Sequence, residues 1–223
     1  MADSIVFFIF LFVVIGLFFH FCVPKRTASE KNKWTPFDRE VGETLIYDVL
    51  EPLEKYGFKF LFNVYVPRGN ERDKTTEIDV LMIGQCGVFV FESKNYSGWI
   101  FGNEKNRYWT QVLYSERHRF YNPIRQNKNH IRWIRKYVGY TTPIHSIVVF
   151  SNRCTFKDIT YESEVKIVHR EDLRETVSEI LHDESIPQIS EEQIQAIFDT
   201  LSPFTNASYE IRRKHIENIE NAC

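Results

Sequence analysis

The 223-residue chain is 43% hydrophobic and 26% charged, with a formal net charge of −2. That composition is ordinary for a globular protein of one principal domain plus appendages, and neither an internal repeat nor a low-complexity tract breaks it. Its four cysteines, Cys22, Cys86, Cys154 and Cys223, form no CxxC pair, which argues against a zinc ribbon or a disulfide framework and agrees with a reducing compartment. Charge is unevenly spread. Residues 24–150 hold 20 Lys and Arg against 14 Asp and Glu, a net of +6, whereas residues 151–223 hold 8 against 15, a net of −7. A basic segment in a near-neutral chain points to a polyanionic partner or to an acidic neighbour within the fold.

In chain order, residues 5–23, "IVFFIFLFVVIGLFFHFCV", carry no formal charge at neutral pH. At about 1.5 Å rise per residue, the run reaches roughly one bilayer core. Asp3 replaces the basic leader of a cleaved signal, and Lys25, Arg26, Lys31 and Lys33 follow the run. An uncleaved single-pass membrane anchor is expected, with everything after residue 24 in the cytoplasm. Residues 25–37 read as a linker. Thr35 and Pro36 open a predicted helix reaching about residue 53, stopped by Tyr56-Gly57. Strands are predicted at 58–67, 75–84, 87–94 and 107–114, with a polar loop over 68–74. Asn122 and Pro123 open a second helix to about residue 137. Strands at 144–151 and 165–168 follow, then helices over 171–183, 190–201 (Ser190 and Gln193 forming a capping box) and 208–221. The order implies a mixed α/β sandwich, with helices packed on a central sheet.

Two acids interrupt this pattern. Asp79 lies within "TTEIDVLMI" and Glu92 within "GVFVFESK", two residues before Lys94. If Gln85-Cys86 form a tight hairpin turn, Gly84 pairs with Gly87. Asp79 then falls opposite Glu92, and Glu77 opposite Lys94. Two like charges on an apolar sheet cost energy unless a cation lies between them, and a hard divalent cation with oxygen ligands resolves the conflict. Salt bridges to Lys94 and Arg107 are the structural alternative.

"EIDVLMI" followed by "GVFVFESKNYSGWIFG", with "VGE" upstream and "NPIRQNKNHI" downstream, resembles the nuclease-related domain of the PD-(D/E)xK restriction-endonuclease-like superfamily. The resemblance covers about residues 38–155. It implies a restriction-endonuclease-like core with a mixed central sheet flanked by helices, and a metal-dependent phosphodiesterase using Mg²⁺ or Mn²⁺. By position, Glu43, Asp79 and Glu92 would ligate the metal, Lys94 would stand beside the attacking water, and Gln126 would be the polar residue of the following helix. Ile78 occupies the place where the motif name has proline.

The residues suit those roles unevenly. Glu43 shares a helical stripe with Ile46, Leu50 and Leu53, although a first-turn acid also favours the helix dipole. Lys94, desolvated beside a cation, would have its ammonium form disfavoured. On the helix from Pro123, the apolar stripe is Ile124, Ile131, Ile134 and Val138, with Gln126, His130, Trp133 and Tyr137 beside it. His130 reads as a packed or backbone-bonded side chain. Arg125, Lys128 and Arg132 lie on a basic arc fitted to nucleic acid, DNA before RNA, with a solvated face or anionic lipid as alternatives. Tyr96, Trp99, Tyr108 and Trp109 read as core more than as stacking platforms. The acidic helices after residue 169 suit a protein partner or self-association.

The expected organisation is an N-terminal anchor (1–24), a linker (25–37), a nuclease-related α/β domain (38–168) and a C-terminal helical region (169–223). The functional expectation is a membrane-anchored, divalent-metal-dependent nuclease. A catalytically inactive nuclease-fold module serving as a membrane-tethered scaffold, and a basic lipid-surface module, are the competing readings.

Overall fold

Proline and glycine punctuate the first element. In the computed structural model, which describes residues 38–69 and 71–205, helix α1 spans Asp38–Leu50 and tightens into a 3-10 turn over Glu51–Tyr56. Pro52 removes an N–H and disfavours helical geometry at the residue before it, so the α-helix ends three residues earlier than predicted. Gly57, at φ 86°, closes the turn in the left-handed region.

Strands β1 (Lys59–Arg68), β2 (Glu71–Gly84) and β3 (Gly87–Lys94) follow. The loop predicted over 68–74 is mostly strand, because ladder pairing between backbones continues past the apolar core and is indifferent to side-chain polarity. Then come β4 (Gly98–Asn103), β5 (Tyr108–Leu113) and β6 (Glu116–Tyr121), helix α2 (Pro123–Val138), and β7 (Ile144–Phe150), β8 (Cys154–Thr160) and β9 (Lys166–His169). After a 3-10 turn at Arg170–Asp172, α3 (Leu173–Leu181) and α4 (Glu191–Leu201) complete the helices, with a last 3-10 turn at Ser202–Thr205. The Ser190–Gln193 capping box forms as expected.

The predicted central sheet is two sheets. One has five strands in the order β1-β2-β3-β7-β9, antiparallel through β3 and parallel from there on. The other has four, β6-β5-β4-β8. The sequence pattern does not announce β4, β6 and β8: "GWIFGN", "ERHRFY" and "CTFKDIT" carry too much glycine and charge to read as strands.

Helices flank the larger sheet on both faces. Phe60, Val80, Met82, Phe89, Phe91, Ile147 and Val149 meet Ile46, Leu50 and Leu53, together with Leu173 and Val177 of α3. Leu61, Val64, Ile78, Leu81, Val88 and Val90 meet Ile134 and Val138 of α2 and Ile194, Ile197 and Leu201 of α4. The apolar faces of α3 and α4 are thus buried on the sheet. A third core, around Ile100, Trp109, Ile124, Val148 and Phe150, joins the two sheets. The mixed α/β architecture, two mixed sheets flanked by helices, fits a restriction-endonuclease-like core.

Among the described residues no helix is long and apolar enough to cross a membrane. The apolar run at 5–23, the Thr35–Pro36 helix start and the helix predicted over 208–221 lie outside the described residues.

The third core depends on one glycine. Trp109 is 1% exposed, stacks on Phe150 at 6.2 Å between ring centroids and donates its indole N–H to the Asn103 carbonyl at 3.1 Å. A Cβ on Gly102 would collide with that indole. Gly102→Ala should therefore destabilise the fold by about 1–3 kcal/mol or more, as overpacking does. A denaturant midpoint equal to wild type would show the indole to be less confined than its burial implies.

Candidate active site

The two-residue turn at Gln85-Cys86 sets the β2–β3 register. Gly84 pairs with Gly87, and the ladder continues through Ile83↔Val88, Met82↔Phe89 and Leu81↔Val90 to Val80↔Phe91. It ends there, one step short of Asp79 and Glu92. On its other side β2 pairs with β1 at Phe62↔Val80 and Val64↔Ile78 but not between Asn63 and Asp79, and Asn63 takes φ 49°.

Alternation breaks at the same place. Phe60, Phe62, Val80 and Met82 face α1, whereas Val64, Val66 and Ile78 belong to the core under α2. Pairing through residue 79 is interrupted on both sides, while the β1–β2 register is unchanged across the gap. Asp79 instead accepts a hydrogen bond at Oδ2 from the Ser93 backbone N–H at 2.8 Å. The expected Glu77–Lys94 pair does not form, since the β2–β3 ladder ends at Val80↔Phe91; on the β1 side Glu77 pairs with Tyr65 and accepts its phenolic O–H at 2.6 Å.

Glu92 and Lys94 keep the parity of Val88 and Val90 and face α2. Glu92 is 1% exposed. Its Oε1 accepts from Lys94 Nζ at 2.6 Å, and its Oε2 lies 3.0 Å from His130 Nε2. Lys94, 14% exposed, also donates to Gln126 Oε1 at 3.2 Å. His130 Nδ1 is 2.7 Å from Thr76 Oγ1. An ionised carboxylate only accepts, so the imidazole donates to Glu92 from Nε2, and in the neutral ring Nδ1 accepts the Thr76 hydroxyl. His130 is packed, as expected, at 4% exposed, but its partners are two side chains, one of them a site acid, and not the backbone. Its place four residues after Gln126, one helical turn on, was the available signal.

The two carboxyls are driven apart. Burial, then the neighbouring Glu92, and last Glu43, push Asp79 well above the ordinary carboxylate range, against the pull of Lys94 and the Ser93 N–H. Burial would also raise Glu92, but Lys94 and His130 outweigh it and hold Glu92 below its usual value. Burial works to lower the Lys94 ammonium as well, yet Glu92 and Asp79 together raise it. Without a metal, then, the lysine is held charged, opposite to the shift expected beside a bound cation.

Glu43 stands on α1, whose first turns lie close on β3: a Cβ on Gly42 would meet the Ser93 hydroxyl. It is half-buried and contributes the smallest of the effects on Asp79. Among the described residues no three His, Cys, Asp or Glu side chains gather closely enough to cage an ion. Asp79, Glu92, Lys94 and Gln126 come together, and Glu43 acts on Asp79 more weakly than Glu92 does.

The donor chemistry still suits Mg²⁺, which keeps several waters and binds through one or two carboxylates plus substrate phosphates. Glu92 retains lone pairs beyond those used by Lys94 and His130, and Asp79 Oδ1 bonds no described residue.

On the exposed arc of α2, Lys128 and Arg132 point outward. Arg125 is also exposed, but its guanidinium is committed to the carbonyls of Lys105 (2.6 Å) and Glu104 (3.4 Å). Asn122, fully buried, caps α2 through Oδ1 and donates from Nδ2 to the carbonyls of Asn103, Glu104 and Asn106. Helix and small sheet are fixed together at the site.

Residues 38–151 match the family model described as the nuclease-related domain. The fold fits the restriction-endonuclease-like class, and the chain belongs to the nuclease-related domain family. It is 30% identical over 202 residues to an uncharacterized protein of Bacillus anthracis, covering 89% of this chain and 91% of that protein. No solved structure matches the chain.

The raised Asp79 carboxyl has a signature in the metal-free protein. Between the ordinary carboxylate pKa of about 3.9 and the raised folded value, the folded state holds a proton that the unfolded state has lost. Asp79 should therefore make stability fall as pH rises through that window. Asp79→Asn should remove this fall and match or exceed wild-type stability at neutral pH in EDTA. Denaturation series from pH 4 to 8 with parallel curves for the two proteins would contradict it.

Proposed function

We propose that the protein is a membrane-tethered, divalent-metal-dependent nuclease hydrolysing the phosphodiester bonds of nucleic acid, with DNA as the preferred substrate. The observation that carries this reading is the convergence of Asp79, Glu92, Lys94 and Gln126, with the two carboxyls forced to opposite proton affinities. Asp79 and Glu92 would hold Mg²⁺ or Mn²⁺, and Glu43 would approach it from α1. A bound cation supplies charge neutralisation at the phosphoryl oxygens.

The protein's own groups do the rest. Lys94 Nζ carries three N–H donors, of which one goes to Glu92 and one to Gln126. The third is left to orient the attacking water or to donate to a phosphoryl oxygen. Gln126 fixes the lysine, and His130, braced by Thr76, fixes Glu92. Lys128 and Arg132 supply phosphate contacts on α2, and Arg125 supports them by holding the loop beneath. The apolar run at 5–23, followed by basic residues, would hold the domain on the cytoplasmic side of a membrane.

The inactive-module reading has one observation in its favour: both Glu92 oxygens already have partners without a metal. The full chain, purified in detergent and assayed on DNA and RNA with Mg²⁺, Mn²⁺ or EDTA, separates the two. The nuclease reading expects metal-dependent cleavage and a metal-induced rise in melting temperature. Asp79→Asn and Glu92→Gln should abolish both, and Lys94→Ala should slow cleavage about 10²–10⁴-fold while metal still shifts the melt. Absence of cleavage and of any metal shift in wild type would leave the inactive module standing.

A second expectation concerns the α2 arc. Replacing Lys128 and Arg132 together by Gln should weaken DNA binding and reduce the slope of log affinity against log salt by about 0.9 for each phosphate no longer neutralised. Wild-type affinity and slope would make the arc a solvated face.

A further inference from the structure

The four-stranded sheet has one face in the core and one face outward. Ile100, Trp109 and Phe120 point inward. By alternation the outward positions are the intervening residues, and the register arranges them in rows. Trp99 lies beside Val112 and Arg117, Phe101 beside Thr110 and Arg119, and Tyr108 beside Tyr121. Trp99 is 51% exposed and Tyr121 43%.

Cations lie over these rings. Lys157 Nζ is 4.9 Å from the Trp99 centroid, and the guanidinium carbons of Arg119 and Arg107 are 4.7 and 5.3 Å from that of Tyr108. Arg117 makes four cations on this surface, and Asp158 beside Phe101 places one acid among them. Glu116, at the hairpin end, turns to His118 at 3.3 Å.

From this surface we infer that the outward face of the small sheet is a stacking platform for an unpaired nucleic-acid strand. Exposed rings bordered by cations match bases bordered by phosphates, and every base offers a flat face to stack. A duplex hides its base faces, so duplex binding would use the cations and leave the rings idle. An anionic membrane surface also attracts Lys, Arg, Trp and Tyr. Here, however, the rings lie in the rows of a sheet face with cations beside them, a broad surface in place of the apolar wedge of an interfacial helix.

The inference rests on the nuclease reading for its purpose. β4 to β6 are inserted between Lys94 at the end of β3 and Gln126 on α2, so the platform is built into the chain that carries the site.

The test uses the full chain in detergent with EDTA, so that binding is read without cleavage. The probes are a fluorescent oligothymidylate about 15 nucleotides long, a DNA hairpin of similar length, and phosphatidylserine vesicles. Trp99→Ala and Tyr108→Ala should each weaken oligothymidylate binding about five- to a hundredfold and leave hairpin binding near wild type. Arg119→Gln should weaken both and flatten the salt dependence.

Unchanged oligothymidylate affinity in the two ring variants, or equal loss for the hairpin, overturns the platform. So does wild-type protein that ignores the oligonucleotide while the ring variants lose vesicle binding. Cleavage is scored separately. Ring-dependent binding with neither cleavage nor a melting shift in Mg²⁺ or Mn²⁺ would sink the nuclease reading alone, whereas cleavage with ring-independent binding would sink the platform alone.

Discussion

An ionised carboxylate that is 1% exposed needs charged or hydrogen-bonding partners, because burial without them costs several kcal/mol. Glu92 obtains them from its own strand, through Lys94 at 2.6 Å, and from α2, through His130 at 3.0 Å. Each partner is held in turn: Lys94 by Gln126, and His130 by Thr76 of β2. One buried charge thereby fixes the position of α2 against β2 and β3. The buried Asn127, which donates to the Val90 carbonyl at 2.9 Å and to Ser146 Oγ at 3.0 Å, locks the same helix to β3 and β7. The polar face of α2 therefore lies on the sheet as firmly as its apolar stripe.

Asp79 is supported differently. The ladder stops on both sides of it, and the backbone N–H of Ser93 serves its carboxylate. A regular strand would have kept the acid in a ladder position with a fixed neighbour. The gap in the ladder releases it to lie next to Glu92 without a cationic partner of its own. Asn63 at positive φ fits that interpretation, since asparagine tolerates the left-handed region better than a β-branched residue would. The two acids differ in their partners: Glu92 has a lysine and a histidine, and Asp79 has one amide.

Much of this was legible in residues that act locally. The glycines around Gln85-Cys86 set the hairpin, and the 3.6-residue spacing of α2 placed Gln126 and His130 on one face. What was hidden depends on distant chain. Nothing local marks Asn63 as the point where alternation reverses, because the consequence falls on β2, across the ladder. The small sheet was hidden because its outward face is not buried, so charged and aromatic residues replace the apolar half of the pattern. Its aromatics divide accordingly: Trp109 is core, as expected, while Trp99 is half exposed. The role of His130 was hidden because its partners come from two other strands.

The electrostatic inequality of the two acids has a consequence for stability. A group whose charged form is disfavoured by burial and by a like neighbour lowers the stability of the metal-free fold at neutral pH. A sequence shaped for stability alone would hold a neutral amide at residue 79, which could accept the same Ser93 N–H through its carbonyl oxygen. Under the proposed nuclease reading, a cation near both acids would lower the Asp79 pKa and turn the repulsion into attraction. The arrangement is thus strained in the way functional sites are. The strain is confined to one residue, while the Glu92 network around it is satisfied through Lys94 and His130.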